Sequence, residues 1–505
     1  MKDLIVETAF GKVEGVVEDG VRVWKGIPFA RPPVGRLRFR PPEPPESWSG
    51  IRDASAFGPS AMQRRAAPGM TVSEDCLYLN IWAPAADGRK KPVMVWIHGG
   101  GFMSGSGASP ATWGTSFARE GDVVLVTINY RLGPFGFLHL AEIGGEEYED
   151  SANIGLQDQV AALRWVRDNI EAFGGDPNQV TIFGESAGGR SVGLLLAMPS
   201  ARGLFHRAII QSGSITAFET ADKASGYAAE MLRQLHVDKN SLAALQTIPA
   251  ERFLEAAEEL RLGVLLAPVP DGRVLPGMPL DQLAAGFSTD IPILIGLNLE
   301  EYKLNYFIEG IWKTLDERGK LERFRMMTEP YWSEVSAYYL ERFRPDLPLD
   351  DRMIAMMTFH QFTFAALQMA DIRARQGQPV WMYRFDWRSP LMGAAHGVDV
   401  PFVFNRVEHA PWNRPGTDLT NARRLALAMH RAWIAFARNG HPNAEPLPEW
   451  PAYRPGEEKV MVFDDVCSVE HDPYREERGV WEEALGRLGI EHRPRLIIEG
   501  QREDL

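Results

Sequence analysis

The sequence predicts an α/β fold, a large and mostly parallel sheet with helices on both faces. Short continuous runs rich in Val and Ile recur at 93–97, 123–128, 180–183, 208–210, 292–296 and 380–385, the pattern of strands covered on both sides. Between the second and third runs, Val160, Leu163, Val166 and Ile170 recur at helical spacing, and Gly174, Gly175 and the Asp176-Pro177 pair follow. Those residues stop a helix, so the order is strand, helix, strand, which a parallel sheet needs for its crossovers. With 505 residues, 45% of them apolar and 24% charged, the chain can bury the core that such a sheet requires.

The elements around this centre follow in chain order. Residues 4–30 alternate with period two and are broken by Gly11, Gly15 and Gly20, which reads as short antiparallel strands joined by turns. The stretch ARPPVGRLRFRPPEPPESW comes next; its prolines cannot donate to a ladder, so an irregular arm over the core is expected. From about 303 to 376 the sequence becomes helical and charged, the composition of an insertion roofing the sheet. The expected organisation is one elaborated domain over residues 1–484, followed by a charged extension at 485–505.

A net charge of −13 repels phosphate backbones and anionic lipid, which excludes nucleic acid and membrane surfaces as expected partners and leaves a neutral small molecule. The amino-terminal MKDLIVETAFGKVEG has three apolar residues in a row before Glu7, and no window holds eighteen, so a cytoplasmic location is expected. Cys76 and Cys467 are far apart and lack metal-ligand spacing, so neither a disulfide framework nor a zinc cluster is expected.

In an open α/β sheet, chemistry is sought beyond the carboxyl ends of the strands. After the run VTIF comes Gly184-Glu185-Ser186-Ala187-Gly188 and then the apolar SVGLLLAM. A nucleophile elbow needs a strand that stops, tiny residues flanking the turn and a helix beginning behind the serine. After VMVWI comes His98-Gly99-Gly100-Gly101-Phe102, where the lack of side chains lets backbone N–H groups approach an oxyanion. A phosphate loop would end in Gly-Lys-Ser/Thr, which is missing here. A serine nucleophile also needs a base and an orienting acid, in the chain order Ser, acid, His for this topology. Glu300 and Glu301 follow the run PILIG, and His396 lies in the small-residue segment GAAHG after VWMYRFDW.

These segments, with KGIPFARPPVGRLRF, SEDCLYLNIW, WIHGGGF, NYRLGPFGFL, FHRAIIQSGS and AFARNGHPN, resemble the type-B carboxylesterase and cholinesterase family of α/β-hydrolases from about residue 5 to 484. The resemblance implies an α/β-hydrolase fold and a serine carboxylesterase. It makes Ser186 the nucleophile, Glu301 the acid and His396 the base, with Gly100, Gly101 and Ala187 as the oxyanion hole and no metal or organic cofactor. Tyr302 stands where the family has glycine, Asp399 where it commonly has glutamate, and Arg190 where relatives carry an uncharged residue. Secreted relatives bridge the cysteine at the Cys76 position to an upstream partner, and no cysteine precedes Cys76 here.

Two other functional classes share parts of this pattern. An acyltransferase or amidase would use the same acyl-enzyme with another acceptor or leaving group. A non-catalytic binding protein would keep the fold and lose members of the triad. For the substrate pocket, Phe102, Met103, Trp113, Phe218 and Phe307 are the aromatic and apolar candidates near the motif segments.

Overall fold

The computed structural model describes residues 4–64, 66, 69–213, 215, 219–238 and 241–490. Among these, eleven strands form one sheet. From one edge the order is Ser468–His471, Lys459–Phe463, Val380–Phe385, Ile293–Asn298, Arg207–Gln211 and Gly175–Glu185. It continues through Lys91–Ile97, Val124–Ile128, Tyr78–Ala83, Val21–Pro28 and Val16–Glu18. Pairing is parallel from Val124–Ile128 across to Lys459–Phe463 and antiparallel at both margins.

All six predicted runs are strands of this sheet, and the helix predicted after the second runs from Ile154 to Asn169. It tightens into a 3-10 turn at Ile170–Phe173 and stops at Gly174, whose φ of 93° suits glycine. The strand Tyr78–Ala83 escaped the sequence reading because Asn80 interrupts its apolar run. That amide donates to Thr127 Oγ1 at 3.0 Å and accepts from Gly26 N at 2.9 Å, so its burial is compensated.

Alternation along each strand divides the core in two. Val93, Val95 and Ile97 face one layer, together with Val160, Leu163 and Val166 of the helix Ile154–Asn169. Met94 and Trp96 face the other, with Trp433 and Phe436 of the helix Thr420–Asn439. Trp96 packs at 4.9 Å from Phe183 and 5.0 Å from Phe404, and truncating such a side chain to alanine costs about 3–5 kcal/mol. Helices therefore cover both faces because both faces are apolar.

The predicted roof is helical, with Lys303–Ile308, Glu317–Thr328, Leu349–Thr358 and Phe364–Arg375 among its helices. A π-helical turn at Phe359–Thr363 interrupts the last two, a feature that often marks functional sites. The helix Arg475–Leu488 props this turn through Trp481, stacked 5.1 Å from His360. It spans residue 484, and residues 491–505 of the expected extension lie outside the described residues. Among the described residues no helix is long and apolar enough to cross a membrane, and no cluster of metal-ligating side chains occurs.

Candidate active site

The strand Gly175–Glu185 ends and the helix Ala187–Leu195 begins with Ser186 alone between them. Ser186 has φ 57° and ψ −124°, a conformation disfavoured for a residue with a Cβ and held only where the surroundings enforce it. They do so by contact. A Cβ on Gly184 would lie 2.7 Å from Ile97 O, and one on Gly188 would lie 2.0 Å from the same oxygen. Glycine at both positions lets the elbow press onto the strand Lys91–Ile97, and Ser186 N is fixed by Gln211 O at 3.0 Å.

That strand leads directly into the glycine loop. Gly100 has φ 107°, and a Cβ there would lie 2.2 Å from Ser104 O. Gly101 has φ 63°. Gly100, Gly101 and Ala187 all border the cavity at Ser186, and Ala187, as first residue of its helix, has no acceptor for its N–H within the helix. Tyr130 OH donates to His98 O at 2.8 Å and its ring stacks on the His98 imidazole at 4.4 Å, which anchors the loop.

Two adjacent glutamates follow the strand Ile293–Asn298, and the fold separates their tasks. Glu301 is fully buried. Its Oε1 accepts from Ser212 Oγ at 2.5 Å and Asn298 N at 2.6 Å, and its Oε2 accepts from His396 Nδ1 at 2.5 Å. Glu300 instead clips the histidine loop from outside, accepting from Ala394 N at 2.9 Å and pairing with Lys303 at 3.0 Å. The other ring nitrogen, His396 Nε2, faces the cavity wall with Glu185 Oε1 at 3.2 Å, and Phe362 packs on the ring at 5.1 Å. Burial alone would push the imidazole pKa down. The carboxylates of Glu185 and Glu301 outweigh it and raise the pKa above that of a free imidazole. Burial likewise pushes Glu185 upward.

Behind the three segments lies Asp399. Its Oδ2 accepts from Gln211 Nε2 at 2.9 Å and Tyr383 OH at 3.2 Å, and its Oδ1 accepts from Asn298 Nδ2 at 3.3 Å. Asn298 Nδ2 also donates to Ala395 O at 2.7 Å, next to His396. The carboxylate thus joins the strands Arg207–Gln211, Ile293–Asn298 and Val380–Phe385, and through Gln211, whose O accepts from Ser186 N, it is linked to the elbow.

Ser186, His396, the glycine loop and the roof enclose a cavity of about 620 Å³, the size of a site for a small organic molecule. Its outer wall includes Met326, Met327 and Phe362. A profile of the carboxylesterase family matches residues 2–481. The chain belongs to the carboxylesterase family. It is 40% identical to the para-nitrobenzyl esterase of Bacillus subtilis over 497 residues, which covers 95% of this chain and 98% of that one. It is 37% identical to the phenmedipham hydrolase of Pseudarthrobacter oxydans, covering 91% of this chain and 95% of that one. A solved Geobacillus stearothermophilus carboxylesterase superposes with a TM-score of 0.89 at 46% identity, covering 95% of this chain and all of that one. The α/β-hydrolase fold is therefore the fold of this carboxylesterase, and the chain is a carboxylic ester hydrolase.

The departures from the family pattern are absorbed in different ways. Tyr302 is fully buried and leaves Glu301 in contact with His396. Its OH donates to Met327 Sδ at 3.4 Å and its ring meets Trp312 edge-on at 6.4 Å, so it ties the acid loop to the roof. Arg190 borders the cavity. Of the apolar candidates, Phe102 borders the cavity, whereas Met103 and Trp113 pack against the two cores and Phe307 is 44% exposed. Phe218 lies outside the described residues. The carboxylesterase sequence reading missed Glu185, Ser212 and Phe362. Glu185 sat inside the motif and carried a signal, but the other two reach the site only through the turn of the sheet and roof.

Proposed function

We propose that this carboxylesterase hydrolyses carboxylic esters through an acyl-enzyme on Ser186, with His396 as general base and acid and Glu301 as its orienting acid. The observation that carries this reading is the 2.5 Å contact of His396 Nδ1 with Glu301 Oε2, on an imidazole that shares one cavity with Ser186. Glu301 keeps the proton on Nδ1, so Nε2 is the lone-pair nitrogen that accepts the Ser186 Oγ proton. Oγ then attacks the ester carbonyl. The N–H groups of Gly100, Gly101 and Ala187 receive the oxyanion, and loss of one such donor costs about 2.7–4 kcal/mol in the transition state. The tetrahedral adduct collapses as its C–O bond to the alcohol breaks, and His396 returns the proton to the departing oxygen. Water, deprotonated by His396, attacks the acyl-enzyme; the acid leaves and Ser186 recovers its proton. No metal or organic cofactor enters these steps.

We further assign residues 1–484 to one domain with the roof at 303–376 and a charged extension at 485–505. A cytoplasmic location is supported by the two cysteines, which are both free. A small ester is the partner.

Release of p-nitrophenol from short and medium acyl esters, with p-nitrobenzyl esters in the same panel, tests the mechanism on the wild type and on Ser186→Ala. Turnover that disappears in the folded variant supports Ser186 as nucleophile. Turnover that persists removes it. Adding short alcohols or amines to the same assay separates hydrolysis from acyl transfer.

A further inference from the structure

We infer that this esterase favours esters with one long apolar arm, which runs from the scissile carbonyl at Ser186 along the roof and ends at the cavity mouth against Ile308 and Val264. The inference rests on Ser186 being the nucleophile and names the substrate class for that site. Ile308 and Val264 both border the cavity that holds Ser186, yet they are 63% and 49% exposed. A side chain that lines a cavity and also meets bulk water stands where the cavity opens. Single apolar residues on a surface are ordinary, but two at one opening offer apolar area that a bound molecule can cover.

An apolar wall leads from the buried end of the cavity to this rim. Tyr302, directly after Glu301, is fully buried and borders the cavity. The helix Lys303–Ile308 follows, and Leu304 and Ile308, four residues apart, lie on the face of it that borders the cavity. One helical turn is about 5.4 Å, so an arm lengthened by roughly four methylenes passes from Leu304 to Ile308. Met326 and Met327 of the helix Glu317–Thr328 line the same space, and their unbranched thioethers adapt to a chain's course. On the side of the oxyanion loop, a Cβ on Gly101 would lie 3.6 Å from Val264 Cγ1, so Val264 stands over the loop that receives the carbonyl oxygen. The roof charges Glu309 and Arg323 also border the cavity, but they pair at 3.1 Å, and Glu309 accepts from Trp312 Nε1 at 3.0 Å. They therefore ask for no charge on the arm. What covers Ile308 and Val264 is the far end of the molecule whose carbonyl rests on Ser186, and each methylene fully buried there improves binding by about fourfold.

The long arm can be the acyl chain or the alcohol, and two matched substrate pairs distinguish them. p-Nitrophenyl octanoate is compared with p-nitrophenyl butyrate, and octyl acetate with butyl acetate, all below the concentration at which the esters aggregate. The readout is the long-to-short ratio of kcat/KM in the wild type and in the double variant Ile308→Ser with Val264→Ser. Val466→Ser serves as control, because its exposed side chain lies between the strands Lys459–Phe463 and Ser468–His471. A wild-type ratio of at least tenfold in either pair, which falls at least threefold in the double variant and holds in Val466→Ser, supports the inference and names the arm. A smaller ratio or a smaller fall in both pairs overturns it. So does a fall as large in Val466→Ser, or a preference for the long ester that arises only once the ester aggregates. If the double variant does not fold, the wild type is titrated with 1,1,1-trifluoro-2-alkanones of six and ten carbons. Binding of the longer ketone at least tenfold tighter then supports the inference, and a smaller gain overturns it. A wild type that turns over none of the four esters and is not labelled by an organophosphate loses the nucleophile assignment as well. Turnover of the short esters with an unchanged ratio removes only the role of Ile308 and Val264.

Discussion

Glu185 Oε1 lies 3.2 Å from His396 Nε2, on the opposite side of the ring from the 2.5 Å contact between Nδ1 and Glu301. The imidazole is thus held between two carboxylates, one directly before the serine in sequence and one brought from a different strand end. Each stabilises the protonated ring, and general-base catalysis requires the neutral one.

The first prediction concerns pH. The rate rises with pH as His396 loses its proton, so kcat/KM has an acid limb, and the raised imidazole pKa places its midpoint above the ordinary histidine value. Replacing Glu185 by Gln removes one of the two charges that hold the proton, so the limb moves to lower pH. The limb belongs to the coupled set of Glu185, His396 and Glu301 and not to one residue. A pH profile of the wild type and Glu185→Gln checks this, and a limb that stays in place or moves up contradicts it.

Backbone strain at Ser186 supplies the second. Ser186→Ala removes the nucleophile but keeps the Cβ at φ 57°, whereas glycine takes that conformation without penalty. Ser186→Gly should be more stable than Ser186→Ala by about 1 kcal/mol, once the greater chain entropy of glycine in the unfolded state is subtracted from the strain released. Both should lose about 10⁴-fold or more in kcat. Urea unfolding of the two variants side by side gives the stability difference directly.

Asp399 gives the third. Asp399→Ala leaves Gln211, Asn298 and Tyr383 with buried donors aimed at an empty site, which costs about 3–5 kcal/mol. Asp399→Asn keeps the shape but turns an NH₂ toward at least one of those donors. It should fold with a smaller loss of stability and still lower kcat more than it raises KM, because Gln211, which holds Ser186 N, and Asn298, which holds Glu301, lose the anchor they share. Thermal melts combined with steady-state kinetics separate the two effects.

The fourth concerns His360, which is buried between Tyr331 and Trp481 on the π-helical turn. Burial pushes its pKa down to about 4. Between pH 6.5 and 4 the unfolded chain binds a proton that the folded chain refuses, so stability falls as pH is lowered through this window. The loss from this residue reaches at most about 3 kcal/mol at pH 4. His360→Phe should flatten the decline of Tm between pH 6.5 and 4, and an unchanged slope would exclude this histidine as a contributor.

Much of the fold was legible because its signals are local. A run such as VMVWI states by composition that both faces are covered, and Gly174 states where the preceding helix must stop. The elbow was legible for the same reason, since Gly184 and Gly188 are demanded by backbone contact with Ile97 and no side chain can replace them. By contrast, the choice between Glu300 and Glu301 could not be made from spacing. Both follow the same strand, and only the path of the loop to Ala394 and His396 gives them different partners.

The sequence by itself determined the alternation of strands and helices, the tight turn at Ser186, the glycine loop and the order of the three candidate side chains. These depend on residue size, period and backbone freedom, which are properties of neighbours in the chain. Tertiary structure alone decided that Glu185 lies against His396, that Asp399 joins three strands and that Arg190 borders the cavity. Those relations depend on which strand ends lie side by side in the sheet and on the roof that closes over them, so they join residues between which the sequence carries no local signal.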